Sequence, residues 1–342
     1  MKVMVYTRPR EMRIEERPYP TLESGEVILR VDASGICGSD LNGYFGHDRT
    51  RAPGMILGHE ICGTVVESAS PHYSQGQRVT ANSAWTCGRC DYCLQGRDNL
   101  CDERKSMGKH RPGGYSEYVS IPASALIEIP QDMDPIRAAL TEPVAVALHA
   151  VNLAMKSLVR PVAEAKALVL GGGAIGFLCA MVLKGYGCGA LTLAEINPLR
   201  RAAAQKHVGC ETYDPGEREP EANAFDFVVD AVGSTQSLAA ALKAAKKGGV
   251  ISEAGLHDQE VALDIQKLTR AQISLIGAGN YPTTELRAAV KLLNSGLFSD
   301  LSFVQLRPLE EGPRAFDELA GGMVANPKII LVPQHTVPQH AA

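Results

Sequence analysis

The sequence predicts an α/β protein of two domains, a small β-barrel-like domain followed by a doubly wound parallel sheet. The chain has 342 residues, which is more than one hydrophobic core usually accommodates. Its N-terminal part reads as short strand-like runs separated by Gly and Pro turns, whereas strand-like and helical runs alternate from Lys166 onward. We therefore expect one domain over 1–150 and a second over 151–289.

Composition and charge exclude several classes of protein. Hydrophobic residues make up 45% of the chain, charged residues 21%, and the net charge is −4, so nothing favours nucleic acid or an anionic membrane as a partner. The first six residues lack the apolar core of a signal peptide. The longest apolar helical stretch, 138–159, contains Glu142, His149 and Lys156 and does not suit a membrane span. We expect a cytoplasmic protein whose nine cysteines are metal ligands or buried thiols.

The first domain contains a cysteine in a turn that suits a cleft. Residues 26–33 alternate like a half-buried strand and lead to the segment 35–40, Gly-Ile-Cys-Gly-Ser-Asp. Glycines flank Cys37 and permit a tight turn. A thiolate is a strong ligand for zinc, although a single cysteine is more often a small buried hydrophobe.

Four further cysteines predict a closed metal site. Their short spacings within one polar loop allow a tetrahedral Cys₄ site, formed by Cys87, Cys90, Cys93 and Cys101. Four protein ligands leave no open position, so this zinc is expected to be structural. A DNA-binding zinc ribbon is the alternative. It is disfavoured because the loop mixes arginines with aspartates and offers no basic face.

The second domain begins with a dinucleotide fingerprint. A buried-strand run, 166–171, leads into a Gly-rich turn, an apolar helix over 177–186 and another strand that ends at Glu195. Such glycines let the backbone approach a pyrophosphate, and the helix N-terminus favours its charge. The turn contains the cofactor-binding candidates Gly171, Gly173, Ala174, Ile175 and Gly176.

Glu195 predicts NAD as the cofactor rather than NADP. An acid at the end of the second strand accepts hydrogen bonds from the ribose 2′-hydroxyl, and it would repel a 2′-phosphate. Arg200 follows about one helical turn later and could offset part of that repulsion.

The segment 35–40 combines with two other stretches, Gly58-His59-Glu60 and Thr141-Glu142-Pro143, and with the four-cysteine loop and Gly-rich turn. Together they resemble the zinc-dependent medium-chain alcohol and polyol dehydrogenases, in particular the sorbitol, galactitol-phosphate and threonine dehydrogenase group. The resemblance covers nearly the whole chain. It implies a GroES-like β-barrel catalytic domain, to which 290–342 returns, and a Rossmann cofactor domain.

The resemblance also implies a catalytic zinc, the second of two per chain. Its expected inner ligands are Cys37, His59 and Glu60, with Glu142 as a fourth or exchangeable ligand. Which carboxylate binds directly stays open. As a Lewis acid, the metal would favour loss of the substrate hydroxyl proton before hydride passes to NAD. Ser39 stands where the family hydroxyl takes that proton.

The function expected from these features is a zinc-dependent oxidoreductase that transfers hydride between a secondary alcohol, in particular a polyol or sugar alcohol, and NAD. We expect a homo-oligomer, either a dimer or a tetramer. A sugar-phosphate dehydrogenase and an amino-alcohol dehydrogenase of the threonine type are alternatives. The zinc-free quinone reductase branch lacks these cysteines and ligands. A non-catalytic regulator that binds zinc and nucleotide represents a different class.

Several other residues carry expectations of their own. Many members of the family have a histidine two residues after Asp40, but this chain has Asn42, so the proton should leave through Ser39 and the cofactor ribose hydroxyls to water. His47, Arg49 and Arg51 precede His59 and could face a polyhydroxy or phosphate group, with a solvated loop as the simpler reading. Lys328 could approach the cofactor phosphates, with a surface lysine at a strand end as the simpler reading.

Overall fold

The chain divides into two compact units in the computed structural model, which describes residues 1–48 and 50–334. Arg49 lies outside the described residues. The first unit consists of Met1–Glu142, Pro282–Val324 and Lys328–Ala342, and the second of Pro143–Tyr281 and Ala325–Pro327. The boundaries predicted at 150 and 289 fall later in the chain than these.

Short strands dominate the first part of unit one, as the alternation of apolar residues with Gly and Pro turns predicts. The strands are β1 (Lys2–Arg8), β2 (Glu11–Glu16), β3 (Glu26–Gly35), β4 (Met55–Ile56), β5 (Glu60–Ser68), β6 (Arg78–Ala81), β7 (Ala84–Trp85), β8 (Lys105–Ser106), β9 (Tyr118–Pro122) and β10 (Leu126–Glu128). The helices are α1 (Gly38–Tyr44), α2 (Asp91–Leu94), α3 (Pro135–Ala139) and α4 (Thr141–Met155), the last of which continues into unit two.

Unit two alternates strands and helices. Its elements are β11 (Lys166–Leu170), α5 (Ala174–Gly185), β12 (Ala190–Ala194), α6 (Pro198–His207), β13 (Glu211–Tyr213), β14 (Phe225–Asp230), α7 (Thr235–Ala244), β15 (Ala245–Glu253), α8 (Ile265–Arg270) and β16 (Ser274–Gly277). The strands form one sheet in the order β13-β12-β11-β14-β15-β16, and every pairing is parallel.

This topology confirms the predicted doubly wound sheet. The chain moves outward from β11 to β13 and then returns to β14, on the other side of β11. A switch point of this kind opens a crevice at the carboxyl ends of the strands, where ligands of such sheets bind. The central strand β14 is buried throughout, including Asp226 and Asp230, and its other four residues are apolar.

The last segment completes unit one. It contains α9 (Thr283–Leu293), β17 (Val304–Pro308), α10 (Gly312–Ala320) and β18 (Lys328–Val332). β18 joins a seven-stranded sheet by pairing antiparallel with β3 and parallel with β17. The C-terminal part of the chain therefore contributes a strand to the domain built by the N-terminal part.

The register of three strands brings distant residues together. β3 pairs antiparallel with β5 so that Gly35 lies opposite Glu60, and it pairs with β18 so that Gly35 also lies opposite Ile330. The end of β3 and the starts of β5 and β18 therefore meet at the same end of the sheet. The polar residues described next lie at this end.

Candidate active site and metal sites

Cys37 lies at the junction where β3 ends and α1 begins. It occupies the N-cap position with extended backbone (φ −94°), and its side chain makes no capping hydrogen bond. A serine or threonine at this position would normally bind the free N–H groups of the helix. The thiol of Cys37 is instead available to neighbours from β5.

Cys37 forms a compact group with His59 and Glu60. One ligand atom from each residue lies within 4.8 Å of the other two. His59 is 8% exposed and Glu60 is fully buried, whereas Cys37 is partly exposed. A thiolate, an imidazole and a carboxylate are the protein ligands that zinc prefers, and three of them leave a position open. The geometry brings these three predicted ligands together.

The carboxylate of Asp40 contacts the imidazole of His59. Its Oδ1 lies 3.4 Å from Nδ1 of His59, and its Oδ2 accepts a hydrogen bond of 2.6 Å from the hydroxyl of Tyr115. The Arg51 guanidinium pairs with the same carboxylate. A metal-ligating histidine usually donates its second N–H to a carboxylate. Contact between Nδ1 and Asp40 leaves Nε2 for a metal.

The electrostatics of the group favour a positive charge. Burial would raise the pKa of Asp40, but the charges of His59 and Arg51 outweigh burial and hold that pKa well below its usual range. Burial would likewise lower the pKa of His59, but the negative charges of Asp40 and Cys37 raise it well above its ordinary value. A divalent cation beside the imidazole would supply the charge that these groups stabilise, so the residues fit a zinc ion.

Glu60 is paired with a lysine from the far end of the chain. Nζ of Lys328 donates to Oε1 of Glu60 at 2.5 Å and to the carbonyl oxygen of Ile36 at 2.8 Å. Lys328 is only 3% exposed, so the expectation of a surface lysine is wrong. The strand β18 places its first residue against β3 and β5, which no local sequence pattern indicates.

Gly35 makes room for this ion pair. A Cβ atom at position 35 would lie 2.0 Å from Oε2 of Glu60 and 3.0 Å from Cε of Lys328. Any side chain there would displace the carboxylate. The glycine before Cys37 is therefore required by the close approach of Glu60.

Glu142 is not a member of the three-residue group. It is 6% exposed and belongs to the first turn of α4, as the sequence predicts from the following Pro143. The group within 4.8 Å contains Cys37, His59 and Glu60 but not Glu142. Its role as a fourth or exchangeable ligand stays a prediction.

Ser39 connects the candidate metal ligands to Arg51. Its hydroxyl lies 3.4 Å from Sγ of Cys37 and accepts a hydrogen bond of 3.1 Å from Nη2 of Arg51. Arg51 is 4% exposed and also pairs with Asp48. The reading of Arg51 as part of a solvated loop is therefore wrong, because its guanidinium is buried and paired with two carboxylates. His47 is exposed, as that reading predicts.

The four cysteines of the 87–101 loop form a second compact group. Their sulfur atoms all lie within 4.8 Å of one another. The N–H of Cys90 donates to Sγ of Cys87 at 3.3 Å. Four sulfur atoms this close together can surround one zinc ion, so the loop fits a closed Cys₄ site.

The loop is also fixed to the C-terminal part of unit one. Asp98 accepts a hydrogen bond of 3.0 Å from the backbone N–H of Thr283, and it also binds the hydroxyl of that residue. Asn82 donates to the same hydroxyl at 3.0 Å. These bonds tie the four-cysteine loop to the start of α9.

The Gly-rich turn of unit two connects β11 to α5. Gly171 has a positive φ of 91°, and a Cβ at Gly176 would lie 1.9 Å from the carbonyl oxygen of Gly171. Only glycine fits this close packing between turn and helix. The N-cap of α5 is Gly173, followed by Ala174 and Ile175 in the first turn. The turn therefore has the form of a pyrophosphate site.

Glu195 holds the turn in place. Its Oε2 accepts a hydrogen bond of 2.6 Å from the N–H of Gly172, and its Oε1 accepts one of 2.8 Å from Asn197. Glu195 and Arg200 both line a cavity of about 760 Å³, together with Gly171 and Gly173. Within the described part of the chain, Nε of Arg200 is buried without a hydrogen-bond partner. Four of the seven predicted cofactor residues therefore line one cavity, while Ala174, Ile175 and Gly176 are not among its lining residues.

A metal group that leaves a coordination position open, together with a dinucleotide cavity on a doubly wound sheet, defines a class of metal- and nicotinamide-dependent dehydrogenase. Comparison with known families agrees. Residues 23–131 match the alcohol dehydrogenase GroES-like domain, and residues 174–295 match the zinc-binding dehydrogenase family. None of the helices in the described ranges has the length and apolar character needed to cross a membrane.

Whole-chain relatives place the protein more narrowly. Sorbitol dehydrogenase of Bacillus subtilis is 30% identical over 87% of both chains. L-threonine 3-dehydrogenase of Bacillus velezensis is 30% identical over 94% of this chain and 95% of its own. A zinc-binding dehydrogenase from Sinorhizobium meliloti, solved with NADP bound, is 28% identical with a TM-score of 0.87 over 97% and 99% of the two chains.

The chain belongs to the zinc-dependent medium-chain alcohol and polyol dehydrogenase family. This membership confirms the resemblance inferred from the motifs, together with the GroES-like and Rossmann fold classes. It also confirms zinc and a nicotinamide dinucleotide as cofactors.

Metal analysis will test the two groups separately. We expect about two zinc ions per wild-type chain, and about one in Cys37→Ser and in Cys93→Ser. Cys93→Ser should also lower the melting temperature, because a closed Cys₄ site contributes folding energy, whereas Cys37→Ser should retain the fold. Cys188→Ser, which removes a thiol outside both groups, is the control and should keep both ions. An active wild-type preparation with one zinc or none would contradict the assignment.

Proposed function

We propose that this protein oxidises a secondary hydroxyl of a polyol or sugar alcohol, with NAD as hydride acceptor. The observation that carries the proposal is the grouping of Cys37, His59 and Glu60 beside the hydroxyl of Ser39. The first three residues would hold the catalytic zinc, and Ser39 would contact the reacting hydroxyl. Glu142 would serve as a fourth or exchangeable ligand.

Ser39 supplies the first acceptor for the substrate proton. When bound, zinc provides Lewis-acid stabilisation of negative charge on the substrate oxygen, and the nicotinamide provides the hydride acceptor. Ser39 accepts from Arg51 through one lone pair and keeps the second lone pair for the substrate hydroxyl. Cys37 and Asp40 flank Ser39 in the chain, so α1 sets the position of all three side chains.

The names of the relatives support a polyhydroxy substrate. Sorbitol dehydrogenase acts on a sugar alcohol, whereas L-threonine 3-dehydrogenase represents the amino-alcohol alternative. A sugar phosphate is less well supported, because Arg51 is buried and paired with Asp40 and Asp48. A non-catalytic regulator would need neither the open metal position nor the hydroxyl of Ser39 beside it.

Glu195 supports NAD over NADP. Its carboxylate lines the cavity that also contains the Gly-rich turn, and it retains lone pairs beyond those used by Gly172 and Asn197. A 2′-phosphate would meet a negative charge there, although Arg200 lines the same cavity. The relative from Sinorhizobium meliloti was solved with NADP, so the choice of cofactor needs a direct measurement.

The assembly and cellular location are further parts of the proposal. We expect a homodimer or homotetramer, and we expect it in the cytoplasm because the chain has neither a signal-peptide pattern at its first residues nor an apolar run of membrane-spanning length. Measurement of the native mass in solution would decide the assembly: a monomer would contradict it.

A substrate panel tests the proposed reaction. The zinc-loaded protein is mixed with NAD and with pentitols, hexitols, their phosphates, simple secondary alcohols and L-threonine, and NADH formation is followed by absorbance. We expect the largest kcat/KM with an unphosphorylated polyol. A higher kcat/KM for a sugar phosphate or for L-threonine would instead support a sugar-phosphate dehydrogenase or an amino-alcohol dehydrogenase. Absence of hydride transfer with every compound would favour the regulator.

Cofactor preference tests the role of Glu195. We expect kcat/KM for NAD to exceed that for NADP by about tenfold or more, since the lost hydrogen bonds and added repulsion amount to at least about 1.4 kcal/mol. Glu195→Gln keeps an acceptor for the N–H of Gly172 but removes the negative charge. In this variant the ratio of kcat/KM for NAD to kcat/KM for NADP should fall. Glu217→Gln, an exposed acid of the same unit, should leave the ratio unchanged. A wild-type preference for NADP would contradict this reading.

A further inference from the structure

Arg51 is a buried cation that contacts Ser39, the proposed proton acceptor, rather than solvent. Its side chain donates from Nη2 to Ser39 at 3.1 Å and pairs through Nη1 with Asp40 and through Nε with Asp48 at 3.3 Å. Side-chain exposure is 1%. The three contacts use three different nitrogens, so the planar guanidinium is fixed in orientation.

The neighbouring sequence is built to admit this side chain. A Cβ at Gly43 would lie 2.1 Å from Cδ of Arg51, so the arginine stem fills the place where helix α1 has no side chain. Asp48 is itself fixed by Lys109 at 2.8 Å and by the backbone N–H of Thr50 at 3.0 Å. The arginine is therefore held from both sides.

The chemistry of guanidinium determines what Ser39 does. Arginine can only donate hydrogen bonds, so the hydroxyl oxygen of Ser39 must accept from it. The single proton of Ser39 is then directed elsewhere, and in this structure it points to Sγ of Cys37 at 3.4 Å. One lone pair of the hydroxyl oxygen stays available for a substrate hydroxyl.

We propose that Arg51 is a positioning residue for proton transfer, which fixes the hydroxyl of Ser39 and stabilises negative charge on its oxygen during the reaction. This inference rests on the proposed dehydrogenase function. In the step, the Ser39 hydroxyl turns its proton away from Sγ of Cys37 and gives it to water, so that negative charge develops on the Ser39 oxygen. The substrate O–H bond breaks and its proton binds that oxygen. The substrate oxygen keeps the bonding electron pair, and Ser39 ends with the same number of protons.

Arg51 gives this help without itself taking the proton. A guanidinium remains protonated at any working pH, so it contributes a permanent charge rather than a second base. The position two residues after Asp40, where the family places a histidine, is Asn42 in this chain. This chain thus has a fixed cation beside Ser39 and an asparagine, not a histidine, at position 42.

Arg51 also pairs with Asp40, which supports His59, so its effect on Ser39 must be separated from an effect on the metal site. Arg51→Lys keeps the charge but loses the planar fork. In this variant we expect wild-type zinc content, kcat lower by about tenfold at a KM within about twofold, and a larger solvent deuterium isotope effect on kcat.

A double-mutant cycle gives the decisive comparison. In a Ser39→Ala background, Arg51→Lys should cause little further loss of kcat, because the residue acts through the missing hydroxyl. Arg307→Lys is the matched control, since Arg307 is another buried arginine of unit one, paired with Glu318. It should lower the melting temperature without changing the isotope effect.

The outcomes are distinguishable. Equal losses of kcat in the wild-type and Ser39→Ala backgrounds, with zinc retained, would overturn the role of Arg51 and leave the proposed function intact. If Arg51→Lys loses zinc, Asp48→Ala takes its place, since it removes the acceptor of Nε but leaves the pair with Asp40; an unchanged isotope effect there would also overturn the role. A wild type that transfers no hydride would overturn the proposed function and this inference with it.

Discussion

The buried carboxylate of Asp40 is the constraint on which the site depends. A fully buried charge is costly unless it is paired and hydrogen-bonded. Here the partners are Arg51, Tyr115 and His59, which come from separate segments of unit one. Satisfying one carboxylate thus fixes the imidazole of His59, the guanidinium beside Ser39 and the start of α1, where Cys37 is the N-cap.

A second buried pair joins the two ends of the chain. Lys328 neutralises Glu60 at the end of the sheet where β3, β5 and β18 meet, and Gly35 leaves the space that the pair occupies. The buried charge of Glu60 is therefore paired only when the C-terminal strand has joined the N-terminal sheet. The pair links the discontinuous segments of unit one to the candidate metal group.

The sequence predicts what depends on local spacing. The four-cysteine loop and the Gly-rich turn before α5 are visible as motifs, because short spacings and strand-helix order determine them. The group of Cys37, His59 and Glu60 is implied by the resemblance to the dehydrogenase family, since Cys37 lies 22 positions before His59. The contacts of Lys328 and Arg51 are not visible in the sequence, because they depend on strand register and on the path of a loop. A lysine or arginine that stands alone in a sequence more often lies at the surface. Lys328 and Arg51 are buried because each pairs with a buried carboxylate, Glu60 and Asp40 respectively.

Zinc analysis of Asp40→Asn tests the central claim most directly. The change removes the negative charge that orients His59 and that pairs with the buried guanidinium of Arg51. We predict about one zinc ion per chain, retained by the four cysteines, and loss of hydride transfer. Glu26→Gln is the control, because Glu26 is another buried carboxylate of unit one and pairs with Arg111; it should lower stability but keep both ions. Two zinc ions and wild-type turnover in Asp40→Asn would contradict the account.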